Sequence, residues 1–177
     1  MSKQKAMIFA ALFASLTAAV SFFKIPLAFT PIPITLQTII VLLSGAMLGA
    51  NYGALAMIIY LLLGVIGLPV FAGGSSGIGV LLGPTGGFLL GFPIAAFVIG
   101  KLVRTKKITA LLFAMLAGTL IIYVFGAIQA TLVTHQGLPA IFAGWILPFI
   151  IGDAIKLLLA AWIAKSIDIN KYLRSPQ

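Results

Sequence analysis

Cysteine is absent from this chain of 177 residues, which excludes disulfides, thiolate nucleophiles and thiolate-held metals. Acid is nearly as scarce: Asp153 and Asp168 stand against 11 Lys and Arg, and His135 is the one imidazole. An intramembrane aspartyl protease needs two aspartates at membrane depth, and a metalloenzyme needs a cluster of His and carboxylate ligands; neither set is present. A Ser–His hydrolase is excluded on similar grounds, because His135 falls in a predicted turn away from any activating partner. No lysine or arginine occurs between Lys24 and Lys101, so the glycine-rich stretch within that interval cannot complete a G-x-x-x-x-G-K-[ST] phosphate loop. Catalytic, metal and nucleotide sites are therefore not expected. Charged residues make up only 7% of the chain, too few to cover a soluble globule.

What is abundant is hydrocarbon: 62% of residues are apolar and mean hydropathy is +1.25. At about 20 residues per crossing, the length accommodates a single domain of six spans. The predicted helices are Ala6–Phe23, Ile34–Ala50, Gly53–Ile66, Thr85–Val103, Ile108–Val133 and Pro139–Ile167. Pro26, Pro31 and Pro33 interrupt the first connection, since proline lacks a donor and restricts its predecessor. Asn51 and Tyr52 mark a tight turn, Pro93 and Pro148 are expected bends, and Phe71–Pro84 is too glycine-rich for a good helix yet too apolar for an ordinary solvated loop. The fold class expected is an all-α membrane protein, a compact bundle with a glycine-rich outer loop between helices 3 and 4.

The net charge of +9 would suggest nucleic acid in a soluble protein. Here the basic residues sit at the ends of apolar segments without interleaved aromatics, which points to anionic lipid headgroups and to no nucleic acid. Lys3, Lys5, Lys101, Arg104, Lys106, Lys107, Lys165, Lys171 and Arg174 fall on one face of the six-span map, with Lys24 on the other. The positive-inside rule then places both termini in the cytoplasm of a prokaryotic cell. A cleaved signal peptide competes for the first segment, given Lys3, Lys5 and the small residues Thr17-Ala18-Ala19; the run is long for such a region, and retention is expected.

Asp153 lies midway along the last span, and Lys156, three residues on, shares its face. An isolated charge at that depth costs about 2.5–3.5 kcal/mol on insertion scales, so both should point into the bundle. The pair serves either as an internal lock or as a polar site for a solute bearing N–H donors and an anion. Gln37, flanked by Thr35 and Thr38, offers an amide near the same outer half. Gln129 and Thr131 have weaker claims. The glycine-rich stretch, with Gly73 and Gly74, can fold into the mouth of the bundle and present backbone groups, because irregular backbone at membrane depth must be covered by protein or line a cavity.

Four segments then carry a resemblance: P-I-P-I-T-L-Q-T at 31–38, G-L-P-V-F-A-G-G at 67–74, L-L-G-P-T-G-G-F-L-L-G-F at 81–92 and G-D-A-I-K-L at 152–157. Together they resemble the BioY family, the biotin-binding S-components of energy-coupling factor transporters. The resemblance implies a six-helix membrane fold, biotin as transported ligand with no cofactor, and no ATPase activity of the chain's own. A transmembrane T-component and two cytoplasmic ATPases would supply the coupling. It implies a site built on Asp153 and Lys156, to which Gln37, Gly73, Gly74 and Thr85 are expected to contribute, with Tyr60, Phe71 and Trp145 expected as the apolar wall. The carboxylate of biotin is paired with Lys156 and its ureido N–H groups with Asp153, the reverse orientation remaining open. Similar S-components dock on the T-component through small residues of helix one, here Ala10, Ala14 and Ala18, with Ala11, Ser15 and Ala19 beside them. A stand-alone secondary carrier and a structural scaffold are the competing functions.

Overall fold

The computed structural model describes residues 3–27 and 30–167; expectations for Asp168, Lys171 and Arg174 fall outside them. Long, predominantly apolar runs form helices, which satisfy their own backbone where no water can. These are α1 (Lys3–Ser21), α2 (Gln37–Val65), α4 (Gly86–Leu102), α5 (Ile108–Thr134) and α7 (Ile150–Ser166), with short α3 (Ile78–Leu82) and α6 (Leu138–Ile141) between them. Lys3–Ser21, Gln37–Val65, Ile108–Thr134 and the composite Leu138–Ser166 are each long and apolar enough to cross a membrane; Gly86–Leu102 is apolar but shorter. Bulky apolar side chains such as Phe113, Leu132, Ile151 and Trp162 face outward, as a lipid surrounding permits.

Helix α2 is not one straight rod. Gly49 breaks it at φ 78° and ψ 178°, a backbone state that only glycine adopts readily. In a continuous helix residues 45 and 53 would lie about 12 Å apart. Instead a methyl group added to Gly53 would sit 2.9 Å from the Gly45 Cα and 2.8 Å from the Ser44 carbonyl oxygen. The chain therefore doubles back, and its limbs 37–48 and 50–65 run side by side. The reversal falls at Gly49, not at Asn51-Tyr52, both of which are helical. A φ near +80° turns the chain within one residue, so no polar loop was needed to signal it.

The proline-interrupted connection is a β-hairpin, and the expectation of a purely α-helical chain is corrected to that extent. Strands β1 (Lys24–Leu27) and β2 (Thr30–Thr35) pair antiparallel with Lys24 opposite Thr35 and Ile25 opposite Ile34. A two-stranded ribbon leaves each strand one unpaired edge, which tolerates residues without an N–H. The last composite helix is also more irregular than a single bend: α6 passes into a π-helical turn (Phe142–Ile146) and a 3₁₀ turn (Leu147–Phe149) before α7 begins. Pro148 cannot donate to the residue-144 carbonyl, and the ladder shifts register around it. By contrast α4 runs through Pro93 as one helix.

Packing relies on close backbone approach. Gly45 meets Ala96 of α4, while Gly87 and Gly91 meet Phe125 and Ile122 of α5, so α4 is wedged between α2 and α5. Helix α1 lies against α2, with Ala6, Ala10, Phe13, Ala14, Thr17 and Ser21 turned inward. Ala10 and Ala14 are 0% exposed, and Ala18 packs on the same core. The ridge expected to meet a partner is thus spent on internal packing. Ala11, Ser15 and Ala19, one residue further round, are the exposed small residues of this helix. Spacing alone could not choose between the two ridges.

Candidate functional site

One end of the bundle gathers the hairpin, the turn around residues 71–75, the start of α4 and the irregular segment ahead of α7. Between them lies a cavity of about 290 Å³, at the lower edge of the range usual for small-molecule pockets. Its polar centre is built on α7. Lys156 lies one helical turn beyond Asp153, and its Nζ donates to Asp153 Oδ1 at 2.8 Å. The Tyr123 hydroxyl of α5 donates to the other carboxylate oxygen, Oδ2, at 2.6 Å. Asp153 and Lys156 are only 9% and 8% exposed, and both line the cavity. Both charges therefore point into protein, as the cost of meeting hydrocarbon requires.

Each partner keeps capacity to spare. A carboxylate has about four acceptor positions and an ammonium three donors, of which the cluster itself uses two and one. A guest group presenting both N–H and C=O can bind this neutral pair without breaking it.

Gln37, at the start of α2, also lines the cavity, and its amide nitrogen donates to the Tyr60 hydroxyl of the returning limb. The bond spans the doubled helix and fixes the amide so that its oxygen remains for other use. Next to it the Thr38 hydroxyl is buried without a hydrogen-bond partner, among the same lining residues. Thr85, just ahead of α4, and Trp145, in the π-helical turn, complete the expected residues that reach the cavity. Phe88, Phe92 and Phe149 add apolar wall. Aromatic faces of this kind give large contact area at small entropic cost.

Four expected residues are placed elsewhere. Tyr60 and Phe71 are both 0% exposed and stand behind the lining. The Tyr60 ring contacts Phe71 edge-on at 5.7 Å and stacks near Phe92 at 6.4 Å, so it braces a wall residue without touching the space itself. Gly73 and Gly74 are not lining residues; their neighbours Ala72 and Ser75 are. The two glycines hold a turn with φ 71° and 78°, closed by Phe71 N–H to the Ser75 carbonyl at 2.9 Å and tied to α1 by Gly73 N–H to the Ser21 carbonyl at 2.9 Å.

Three contributors escaped the sequence reading. Tyr123 is the single phenol of the largely apolar α5, and a polar tip at that depth was the available signal. Gln129, given a weak claim, bridges two carbonyls: its amide nitrogen donates to Leu81 at 2.6 Å and Gly83 at 2.7 Å, pinning the segment between α3 and α4. Lys24, expected on the outer side with no assigned role, lines the cavity from β1. His135 caps α5 in a left-handed conformation and is exposed, apart from the site. Among the described residues no three His, Cys, Asp or Glu side chains group as metal ligands.

The chain is similar to known proteins. The BioY family pattern matches residues 1–172. A biotin transporter BioY from Thermotoga maritima is 44% identical over 169 residues, covering 93% of this chain and 98% of the relative. Another from Rhizobium etli is 37% identical over 175 residues, 93% of each chain. Among solved structures, the S-component for biotin from an ECF-type ABC transporter superposes with a TM-score of 0.85 at 29% identity, covering 94% of this chain and 93% of that one.

Proposed function

This chain belongs to the BioY family, and from that membership we propose that it captures biotin from the outer face of a prokaryotic cell membrane. It delivers the vitamin for ATP-driven uptake as the S-component of an energy-coupling factor transporter. The observation that carries the reading is the Lys156–Asp153–Tyr123 cluster, buried at membrane depth yet open to a cavity of ligand size. A ureido ring offers two N–H donors and one carbonyl acceptor, which complements Asp153 and Lys156 respectively. The thioether ring lies against Trp145, Phe88 and Phe92, a greasy surface for a greasy body.

In this reading the doubled α2 contributes two crossings, so that α1, the two limbs, α4, α5 and the composite last helix make six. Both termini then lie in the cytoplasm, together with Lys101, Arg104, Lys106, Lys107 and Lys165, as the positive-inside rule requires. The cavity opens on the opposite side. The turn at residues 71–75 and the β-hairpin form its cover. The T-component and two ATPases couple the capture to ATP, and the exposed ridge Ala11, Ser15 and Ala19 is the surface that suits a close crossing with the T-component.

Equilibrium binding of radiolabelled biotin to the purified chain in nanodiscs tests the core of this reading. Saturable binding displaced by unlabelled biotin is expected. Absence of saturable binding would overturn it.

A further inference from the structure

The charges that line the cavity do not cancel. Asp153 and Lys156 neutralise each other through their 2.8 Å contact, and Lys24 then remains as a second cation on the lining. Among the described residues no carboxylate lies within ion-pair distance of it. Lys24 is exposed, so it sits at the rim, where water screens it until a guest arrives.

Its position is nevertheless built. The register places Lys24 directly across from Thr35, another lining residue, so the cross-strand pair faces the same space. The lysine side chain lies along the turn at Gly73, where an added Cβ would overlap its Cδ, Cε and Nζ together. That trough exists because residue 73 has no side chain and adopts φ 71°. The turn is in turn fastened to the end of α1, three residues ahead of the first hairpin residue, by the Gly73–Ser21 backbone bond. Gly73 thus reaches the cavity only through Lys24, since it is not itself a lining residue.

Resting on the biotin reading above, we infer that Lys24, seated over Gly73, is the residue that binds the carboxylate of the guest, and that Lys156 is not. The guest then lies with its neutral polar ring on the Asp153–Lys156–Tyr123 cluster and its anionic tail toward the hairpin. A single negative charge on the guest brings the lining to neutrality, which selects a monocarboxylate over its uncharged analogues.

Binding of biotin and of biotin methyl ester is to be compared for the unaltered chain, Lys24→Met, Lys24→Arg and Gly73→Ala in nanodiscs at low salt. Lys24→Met is expected to weaken biotin roughly three- to tenfold, the range for a rim-exposed ion pair that gains some desolvation on binding, and to leave the ester unchanged. Lys24→Arg should retain most biotin affinity. Gly73→Ala should show the same selective loss as Lys24→Met, because it displaces the lysine without removing it. Equal affinity of Lys24→Met for biotin, or equal losses for biotin and ester, would overturn the assignment while leaving capture of biotin intact. Failure of the unaltered chain to bind either compound would instead refute the biotin reading itself.

Discussion

Replacing the buried pair in two steps separates grip from scaffold. Lys156→Met alone leaves the Asp153 carboxylate, 9% exposed, with Tyr123 as its remaining partner. Breaking a buried ion pair on one side costs about 3–5 kcal/mol, since an uncompensated charge stays behind. At about 2–4 °C per kcal/mol for a chain of this size, the ligand-free melting temperature should fall by roughly 10 °C. The double variant Asp153→Asn with Lys156→Met removes both charges, and the new amide oxygen still accepts from the Tyr123 hydroxyl. Neutral replacement of a buried pair is often without net cost, so its melting temperature should return close to that of the unaltered chain. Binding should not return. Two hydrogen bonds from a ureido group to charged partners are worth about 1.5–3 kcal/mol each, so losing both lowers affinity by about two to four orders of magnitude. The assays are thermal melts of the purified proteins without ligand, then equilibrium biotin binding on the same samples. A double variant that binds biotin within about threefold of the original would show that the cluster does not grip the vitamin. One that melts as low as Lys156→Met alone would show that the pair serves mainly to lock α7 in place.

Gln129→Leu strands the Leu81 and Gly83 carbonyls, each worth about 1–3 kcal/mol when left unpaired; faster amide exchange confined to residues 78–86 is the expected signature, and an unchanged exchange pattern would refute the pinning role. On α1, Ala10→Leu overpacks a fully buried site and should destabilise the isolated chain by about 1–3 kcal/mol, whereas Ala11→Leu should leave its melting temperature unchanged and instead disrupt co-purification with the T-component; equal melting temperatures would contradict the inward orientation of Ala10.

The amino-acid sequence by itself determined that this is a membrane protein. Spans are set by length and hydropathy, both of which are local properties of the chain. It also brought Asp153 and Lys156 onto one face, because a separation of three residues is one helical turn. The four motifs sufficed to suggest the family. Tertiary structure decided what depends on contacts between distant segments. Nothing local picks Gly49 over the expected Asn51-Tyr52 as the point of reversal, since its role is a single dihedral angle, and that reversal is what brings Gln37 to Tyr60. Nothing local distinguishes Ala10 from Ala11, because both lie on small-residue ridges and only the position of α2 tells which is inside. The partnership of Tyr123 with Asp153 spans 30 residues, and the seat of Lys24 on Gly73 spans 49. Each exists only once separate helices and a hairpin have been packed around one cavity, because a polar group in an apolar chain finds its partner through the fold and not along the sequence.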